Sequence, residues 1–320
     1  MTDSPVILVV GSINMDLVVR CERMPAPGQT VLGKGFKTSP GGKGANQAVA
    51  AARMGAACHM IGCVGQDAFG QQLLQGLRDE GVHCDAVRAT GQAPTGVAMI
   101  VVDSRGENSI VVSDGANAHV TPDDHVFPNR DLFERADVVL LQLELPLPTI
   151  MAAVELARRA GCKVVLDPAP APRIMPDKLC MVDVICPNIV EAEALTGRRP
   201  GVEERVDKQI ASDLIARGAG TAVLKLGARG SLAVMADGHF YTVPAYDVNV
   251  VDTTAAGDAF TAALAVAIAR GEGLHQATKI ANAAGGLACT KLGAQAAMPT
   301  WDEVRLLMED QPRSDPGDRP

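Results

Sequence analysis

Short apolar runs alternate with amphipathic helical segments along most of this chain, and that alternation is the strongest constraint on its fold. Residues Val6–Val10 form a continuous apolar run ended by Gly11, the pattern of a buried strand feeding a turn. The pattern then predicts a helix over 45–54 closed by Gly55, a strand over 60–64, and a helix over 69–80 closed by Gly81. It continues with a strand over 138–143, a helix over 149–160 before Gly161, and strands over 163–166 and 184–186. A short helix over 190–196, a helix over 203–217 and a strand over 222–226 follow, and two long helices over 258–270 and 274–290 close the series. Strands and helices alternating at this spacing imply right-handed crossovers, so an α/β domain around a mostly parallel sheet is expected. A chain of 320 residues that is 47% hydrophobic but only 3% aromatic has the aliphatic content for such a core.

Two regions break the rhythm. Residues 17–20 with 30–38, and residues 97–102 with 109–112, read as short strands, the second pair turned by Ser104-Arg105-Gly106-Glu107. A small sheet inserted near the ends of parallel strands either covers a ligand as a lid or pairs its edges with a second subunit, and the two roles are compatible. Residues 309–320 are charged and Pro-rich without an apolar face, so a disordered tail is expected after a single domain over 1–308.

Charge and cysteine usage narrow the function classes. The net charge is -8 and the Lys and Arg residues are scattered, so neither nucleic acid nor an anionic membrane is an expected partner. No apolar run reaches the roughly 18 residues needed to span a bilayer, and residues 1–5 are too short and polar to begin a signal peptide. A cytoplasmic address is therefore expected. The eight cysteines include no Cys-x-x-Cys pair and no His at metal-ligand spacing, which reads as reduced core thiols rather than a zinc site.

The segment Asp252-Thr253-Thr254-Ala255-Ala256-Gly257-Asp258 places one carboxylate at the start of an apolar helix. Small residues at 255–257 let backbone N–H groups approach a ligand, and the unpaired N–H groups of a first helical turn favour an anion. A carboxylate beside that anion is suited to accept the proton of an attacking hydroxyl. The competing reading is that Asp258 only complements the helix dipole. Pro40-Gly41-Gly42-Lys43-Gly44-Ala45-Asn46 delivers permissive backbone, a cation and an amide at another helix N-terminus. It is neither a Walker A loop nor a dinucleotide fingerprint, and a structural turn competes with a ligand loop.

Four further segments carry the same ambiguity. Asn14 and Asp16 follow the end of the first strand, where open α/β sheets bind ligands, unless they are turn formers. Asn188 and Glu191 lie on one helical face and suit either the orientation of water around magnesium or a helix cap. Lys225-Leu226-Gly227-Ala228-Arg229-Gly230 joins two strands through glycines that admit a nucleotide or simply make a tight turn. Glu144 ends an apolar strand and faces either solvent or a ligand.

In order along the chain, Gly41-Gly42-Lys43-Gly44-Ala45-Asn46, Asn188-x-x-Glu191 and Ala255-Ala256-Gly257-Asp258 resemble the motifs of the PfkB-type carbohydrate kinase family. The similarity runs from about residue 6 to about residue 301. It includes Leu141-Gln142-Leu143-Glu144, Asp167-Pro168-Ala169-Pro170-Ala171 and Gly293-Ala294-Gln295.

This resemblance implies a three-layer α/β/α fold with a small β-sheet lid, and ATP-dependent phosphorylation of D-ribose at its 5-hydroxyl. Asp258 would be the base, with Ala255, Ala256 and Gly257 stabilising the developing charge. Asn14, Asp16, Gly42, Lys43, Asn46 and Glu144 would hold the sugar, Lys43 also reaching toward the transferred group. Asn188 and Glu191 match the magnesium and phosphate motif, while Lys225, Gly227, Gly230, Gly257 and Asn282 match nucleotide-contacting positions. Asp252, Thr254, Ala288, Lys291, Gly293 and Ala297 match loop positions that hold potassium, largely through backbone carbonyls. Two matches depart from the family pattern: position 225 is often Thr or Ser, and position 297 is often Ser. A homodimer through the lid strands is also expected. The alternatives are a kinase for deoxyribose, fructose or a nucleoside, and a catalytically silent sugar-binding regulator. A nicotinamide dehydrogenase lacks support, because no Gly-x-Gly-x-x-Gly follows a strand.

Overall fold

The computed structural model describes residues 4–311. Strand β1 (Val6–Val10) lies inside a large sheet, with Ile7 and Val9 packed on one face and Leu8 and Val10 on the other. All four are fully buried, which is why the run lacks polar alternation: a parallel strand covered on both faces needs an apolar residue at every position. The chain continues through β2 (Asn14–Cys21), β3 (Gly33–Gly41), α1 (Lys43–Arg53), β4 (Ala57–Gly65), α2 (Ala68–Asp79) and β5 (His83–Thr90). Next come β6 (Gly96–Val102), β7 (Asn108–Ser113), α3 (Arg130–Arg135), β8 (Val138–Leu141), α4 (Leu147–Ala160) and β9 (Lys163–Leu166). The remainder is β10 (Val184–Ile185), α5 (Ile189–Thr196), α6 (Glu204–Ala216), β11 (Thr221–Lys225), β12 (Ser231–Met235), β13 (Phe240–Val243), α7 (Ala256–Ala269), α8 (Leu274–Ala288) and α9 (Trp301–Asp310).

Nine strands form the large sheet in the order β13-β12-β11-β10-β9-β8-β1-β4-β5. From β11 to β5 every pairing is parallel, and β12 and β13 extend the sheet antiparallel. From β1 the chain winds outward through β4 and β5, then returns to lay down β8, β9, β10 and β11 on the other side. The reversal opens a crevice at the carboxyl ends of the strands, the usual ligand position in such sheets. One face carries a core shared by α1, α7 and α8, and the other carries α4 and α6, giving three layers. Helix α7 is buried continuously from Asp258 to Ala267, so its run of alanines packs on every side and shows no polar stripe.

The interrupting segments form a separate four-stranded sheet, ordered β3-β2-β6-β7, with β2 and β6 parallel and the outer pairs antiparallel. Strand β7 is exposed throughout. Several expectations need correction. Asn14 and Asp16 lie in β2 itself rather than in a turn after β1, because pairing with Gly41 and Ser39 extends that strand back to Asn14. Strand β3 begins at Gly33, not at residue 30, and the parallel strand expected over 138–143 ends at Leu141. Helix α7 begins two residues before Asp258, and α8 ends at Ala288. Strand β5 and helix α9 went unpredicted. Glu309 and Asp310, expected in the tail, close α9, where Arg305 pairs with Glu309 at 2.7 Å. The rest of the expected tail, from 312 to 320, lies outside the described residues. No helix among the described residues is long and apolar enough to cross a membrane.

The start of α1 is seated directly against the end of β1. A Cβ on Gly44 would fall 2.5 Å from the Gly11 carbonyl carbon and the Ser12 nitrogen, both of them backbone. Gly44→Ala is therefore expected to destabilise the fold by about 1–3 kcal/mol, the usual cost of overpacking. Differential scanning calorimetry reads this as a lower melting temperature; an unchanged midpoint would show that the contact tolerates displacement.

Candidate active site

The glycine-rich turn between β3 and α1 folds over the end of β1. Gly42 has φ +87°, and a Cβ there would fall 2.7 Å from the Asn14 nitrogen, so only glycine suits the turn. Through this approach the first turn of α1 faces the Ser12 to Asp16 segment. Glu144, beyond β8, closes the corner: it accepts from the Lys43 backbone N–H at 3.1 Å and from the Ser12 hydroxyl, which in turn accepts from the Gly44 N–H at 3.3 Å. Asn14 Oδ1 accepts from Asn117 Nδ2 at 2.7 Å, and Asn117 also grips the Ile13 backbone. The Asp16 carboxylate rests over Gly41, within 2.4 Å of where a Cβ would stand.

Asp258 sits at the third helical position of α7, with 4% of its surface exposed. Asn46 Nδ2 donates to its Oδ2 at 2.9 Å and Gln47 Nε2 to its Oδ1 at 3.1 Å. The Asn46 Oδ1 atom is buried with no hydrogen-bond partner among the described residues, leaving an acceptor beside the carboxylate. Ala255, the residue before α7, adopts φ +58°, the one non-glycine residue with positive φ among those described. That conformation turns the chain sharply into the helix. The Ala256 N–H is taken by Thr253 O at 3.3 Å. The N–H groups left without a carbonyl partner at the start of α7 are therefore those of Gly257 and Asp258, which no preceding helical carbonyl can reach.

The electrostatics of this corner are dominated by carboxylates. Burial pushes the Asp16 carboxyl up to about 7, with Glu144 and Asp258 adding to the effect. Burial also raises Glu144, partly offset by Lys43, and raises Asp258, against which Lys43 acts while Asp167 reinforces the shift. For Lys43 burial opposes the charge, but Asp258, Asp167 and Glu144 outweigh it and hold the ammonium above its ordinary range. The arrangement presents a cation amid acceptors, suited to a polyhydroxylated ligand beside an anion.

On the other side of Gly257 lies a cavity of about 770 Å³. Asn188, Lys225, Gly227, Gly230, Gly257 and Asn282 all line it, as do the apolar Tyr246, Val250 and Phe260. Asn282 Nδ2 is held by Ser231 Oγ at 2.8 Å and by Val243 O at 3.2 Å. Glu191 does not line the cavity. Its two carboxylate oxygens accept from the Asn188 N–H and Nδ2, both at 2.7 Å, forming a reciprocal helix cap. Burial raises the Glu191 carboxyl, with Lys225 partly offsetting it. The cap reading is thus correct for the local geometry, and it leaves the pair suited to hold a divalent ion through water rather than by direct ligation. Among the described residues no cluster of three or more His, Cys, Asp and Glu side chains is arranged around a metal.

Of the positions expected to hold potassium, Asp252, Thr254 and Gly293 are joined by hydrogen bonds before the start of α7. Asp252 Oδ1 accepts from the Thr254 N–H at 3.0 Å and from its hydroxyl at 2.7 Å, and Asp252 Oδ2 accepts from the Gly293 N–H at 2.9 Å. The Lys291 ammonium pairs with Glu303 at 2.8 Å, which leaves only its backbone for a cation. Ala288 and Ala297 are fully buried. Sequence reasoning gave no role to Gln47, Asn117 or Thr261, and quoted Asp167 only as part of a matching motif. Asp167 follows directly on β9, and the rule that ligands gather at strand ends would have flagged it; Gln47 carries no local signal.

A family model for pfkB family carbohydrate kinases matches residues 5–301. The ribokinase of Haemophilus influenzae is 37% identical over 301 residues, covering 94% of this chain and 97% of its own length. That of Bacillus subtilis is 39% identical over 305 residues, covering 94% and 99%. The structure of Arabidopsis thaliana ribokinase complexed with ribose and ATP is similar with a TM-score of 0.89 at 34% identity, over 96% of this chain and 99% of that one.

The raised Asp16 carboxyl has a consequence for stability. Asp16 holds its proton more tightly in the folded chain than in the unfolded one. The stability it contributes is therefore fully present below its ordinary value of 3.8 and is lost as pH rises through about 7. Asp16→Asn, which cannot ionise, should gain on the unsubstituted protein by roughly 2 °C or more in melting temperature between pH 4 and pH 8. Parallel thermal shifts for the two proteins across that range would contradict the assignment.

Proposed function

Since the chain belongs to the pfkB family of carbohydrate kinases, we propose that it transfers the γ-phosphoryl group of ATP to the 5-hydroxyl of D-ribose, giving D-ribose 5-phosphate and ADP. The observation that carries this reading is the position of Asp258, a buried carboxylate between the polar corner around Lys43 and the large cavity beyond Gly257. The ribokinases among its relatives supply the choice of sugar.

In this reading Asn14, Asp16, Gly42, Lys43, Asn46 and Glu144 bind the sugar, and the unpartnered Asn46 Oδ1 supports an acceptor role for that amide. Asp258 takes the proton of the primary hydroxyl as the oxygen attacks. The free N–H groups at the start of α7 meet the charge that develops on the transferred phosphoryl, and Lys43 stands on its sugar side. With a loose transition state, positioning and charge stabilisation account for most of the acceleration. Lys225, Gly227, Gly230, Gly257 and Asn282 bind the nucleotide.

Asn188 and Glu191 would orient the water around a magnesium ion bound with the nucleotide, which would supply neutralisation of the phosphate charge. Asp252, Thr254, Ala288, Lys291, Gly293 and Ala297 would hold potassium, largely through backbone carbonyls, and its charge would order the loop that ends at Ala255. The small sheet closes as a lid over the sugar, excluding water. Its exposed Phe36, Ile110, Val111 and Val112 support a homodimer through the same strands. A cytoplasmic address fits a consumer of ATP with eight free cysteines.

A coupled ADP-release assay across pentoses, hexoses and nucleosides tests the reaction and the sugar together. Ribose-dependent ADP release is expected; a better response to deoxyribose, fructose or a nucleoside would reassign the substrate, and none at all would leave a sugar-binding regulator. In the same assay Asp258→Asn should lower kcat by ~10² to 10⁴ while sugar binding persists. Near-normal turnover in the folded variant would remove Asp258 from the mechanism. Millimolar potassium should raise kcat more than sodium does, and full activity in potassium-free buffer would count against the cation loop alone.

A further inference from the structure

Behind Asp258 runs a chain of buried polar side chains, of which the proposed chemistry uses Lys225 alone, as a nucleotide contact. Gln142 Nε2 donates to Gln47 Oε1 at 2.6 Å. Gln47 Nε2 then donates to two carboxylates at once, Asp258 Oδ1 at 3.1 Å and Asp167 Oδ2 at 3.0 Å. Asp167 Oδ1 accepts from Lys225 Nζ at 2.9 Å, and the ammonium also reaches Thr261 Oγ1 at 3.4 Å. Gln47 is fully buried, and Asp167 and Lys225 are 1% and 9% exposed.

An ion pair in such a place is expensive, since taking both charges out of water costs more than an apolar pair of similar volume would. Its neighbours suggest why one stands here. The Gln47 oxygen is engaged by Gln142, so its NH2 group must face the two carboxylates. Oxygens bonded to one nitrogen lie at most about 6 Å apart, near enough for a charge on one to disfavour ionisation of the other. An uncompensated Asp167 would therefore work against the base.

We propose that the Asp167–Lys225 pair, acting through Gln47, is a positioning device for the Asp258 carboxylate. This rests on the phosphotransfer reading above. Asp167 draws the Gln47 amide into the place from which it holds Asp258, and Lys225 neutralises Asp167 so that a second carboxylate can stand behind the base. The other charged groups facing Asp258 are Lys43 at the start of α1, Asp16 on β2 and Glu144 after β8. Strands β1 and β8 contribute only apolar residues. Cys186 after β10 stays neutral, its thiol pushed up to about 12 by burial. Helix α8 brings His275, stacked on Tyr241, and Lys279, both in its first half.

The test is kcat/KM for ribose against pH at saturating ATP, with Asp258→Asn as the control for the base. Activity falls on the acid side as the base gains its proton. Lys225→Met leaves the Asp167 charge uncompensated and should move that limb to higher pH by about one unit or more. Asp167→Asn removes the charge and should move the limb the other way. The double variant should bring the acid limb back close to its unsubstituted position, whatever its overall rate. Gln47→Met should lower kcat roughly 10- to 100-fold with little change in either KM. Limbs that move together or not at all, or Gln47→Met with unreduced kcat, would overturn the proposal. If the single-charge variants do not fold, Gln47→Met, which strands no charge, decides alone. An unsubstituted protein with no ribose-dependent turnover would sink the phosphotransfer reading and this device with it, whereas an active one with unmoved variants sinks the device only.

Discussion

A carboxylate buried between two helices must be paired, and the pairing of Asp258 organises the whole site. Asn46 and Gln47 hold it from α1 while its own backbone belongs to α7. An unpaired charge at that depth would cost several kcal/mol, so the two helices are locked in the register that satisfies it. That register brings together the glycine-rich turn at the start of α1 and the free N–H groups at the start of α7. The alanines along both helices permit the approach, since larger side chains would hold the backbones apart.

The corner is built with more negative charge than an empty site would favour. Asp16, Glu144 and Asp258 are all raised, mainly by burial, and one cation, Lys43, stands among them. Such a cluster is a cost to the free protein that a ligand with several hydroxyls can relieve by donating to the carboxylates. The cavity side is built differently: glycines at 227, 230 and 257 with Tyr246, Val250 and Phe260 make a roomy wall in which Lys225 also stands. The division suits a small polar acceptor on one side of Asp258 and a nucleotide on the other.

Much of this was legible from local pattern. Strand β1, helices α1 and α7 and the insertion of a second sheet follow from apolar periodicity and glycine placement, and nearly all the nucleotide positions carried over by resemblance line one cavity. What escaped has physical reasons. Strand β5 is the sheet's edge and only half apolar, and α9 buries little beyond Val304, so neither has a strong periodic signal. From sequence, Asn14 and Asp16 read as lying after the first strand, as ligand positions or turn formers, because strand pairing with β3 cannot be seen in a polar, glycine-rich segment. Gln47 and Asp167 lie 120 residues apart and meet only in the folded chain, and Gln47 is 211 residues from Asp258. Glu191 shows the opposite lesson: its helix-capping role was local and readable, while any part in holding magnesium is not.

In the proposed reaction Asp258 takes the proton of a primary sugar hydroxyl as that oxygen attacks ATP's terminal phosphoryl group. Phosphorus NMR of the protein with ATP, magnesium and ribose measures this most directly, because the product's proton coupling reports which carbon bears the phosphate. The account predicts a new phosphomonoester signal coupled to the two protons of the ribose C5 methylene, growing in step with ADP. Inorganic phosphate alone, or a phosphomonoester coupled to a single proton, would contradict it.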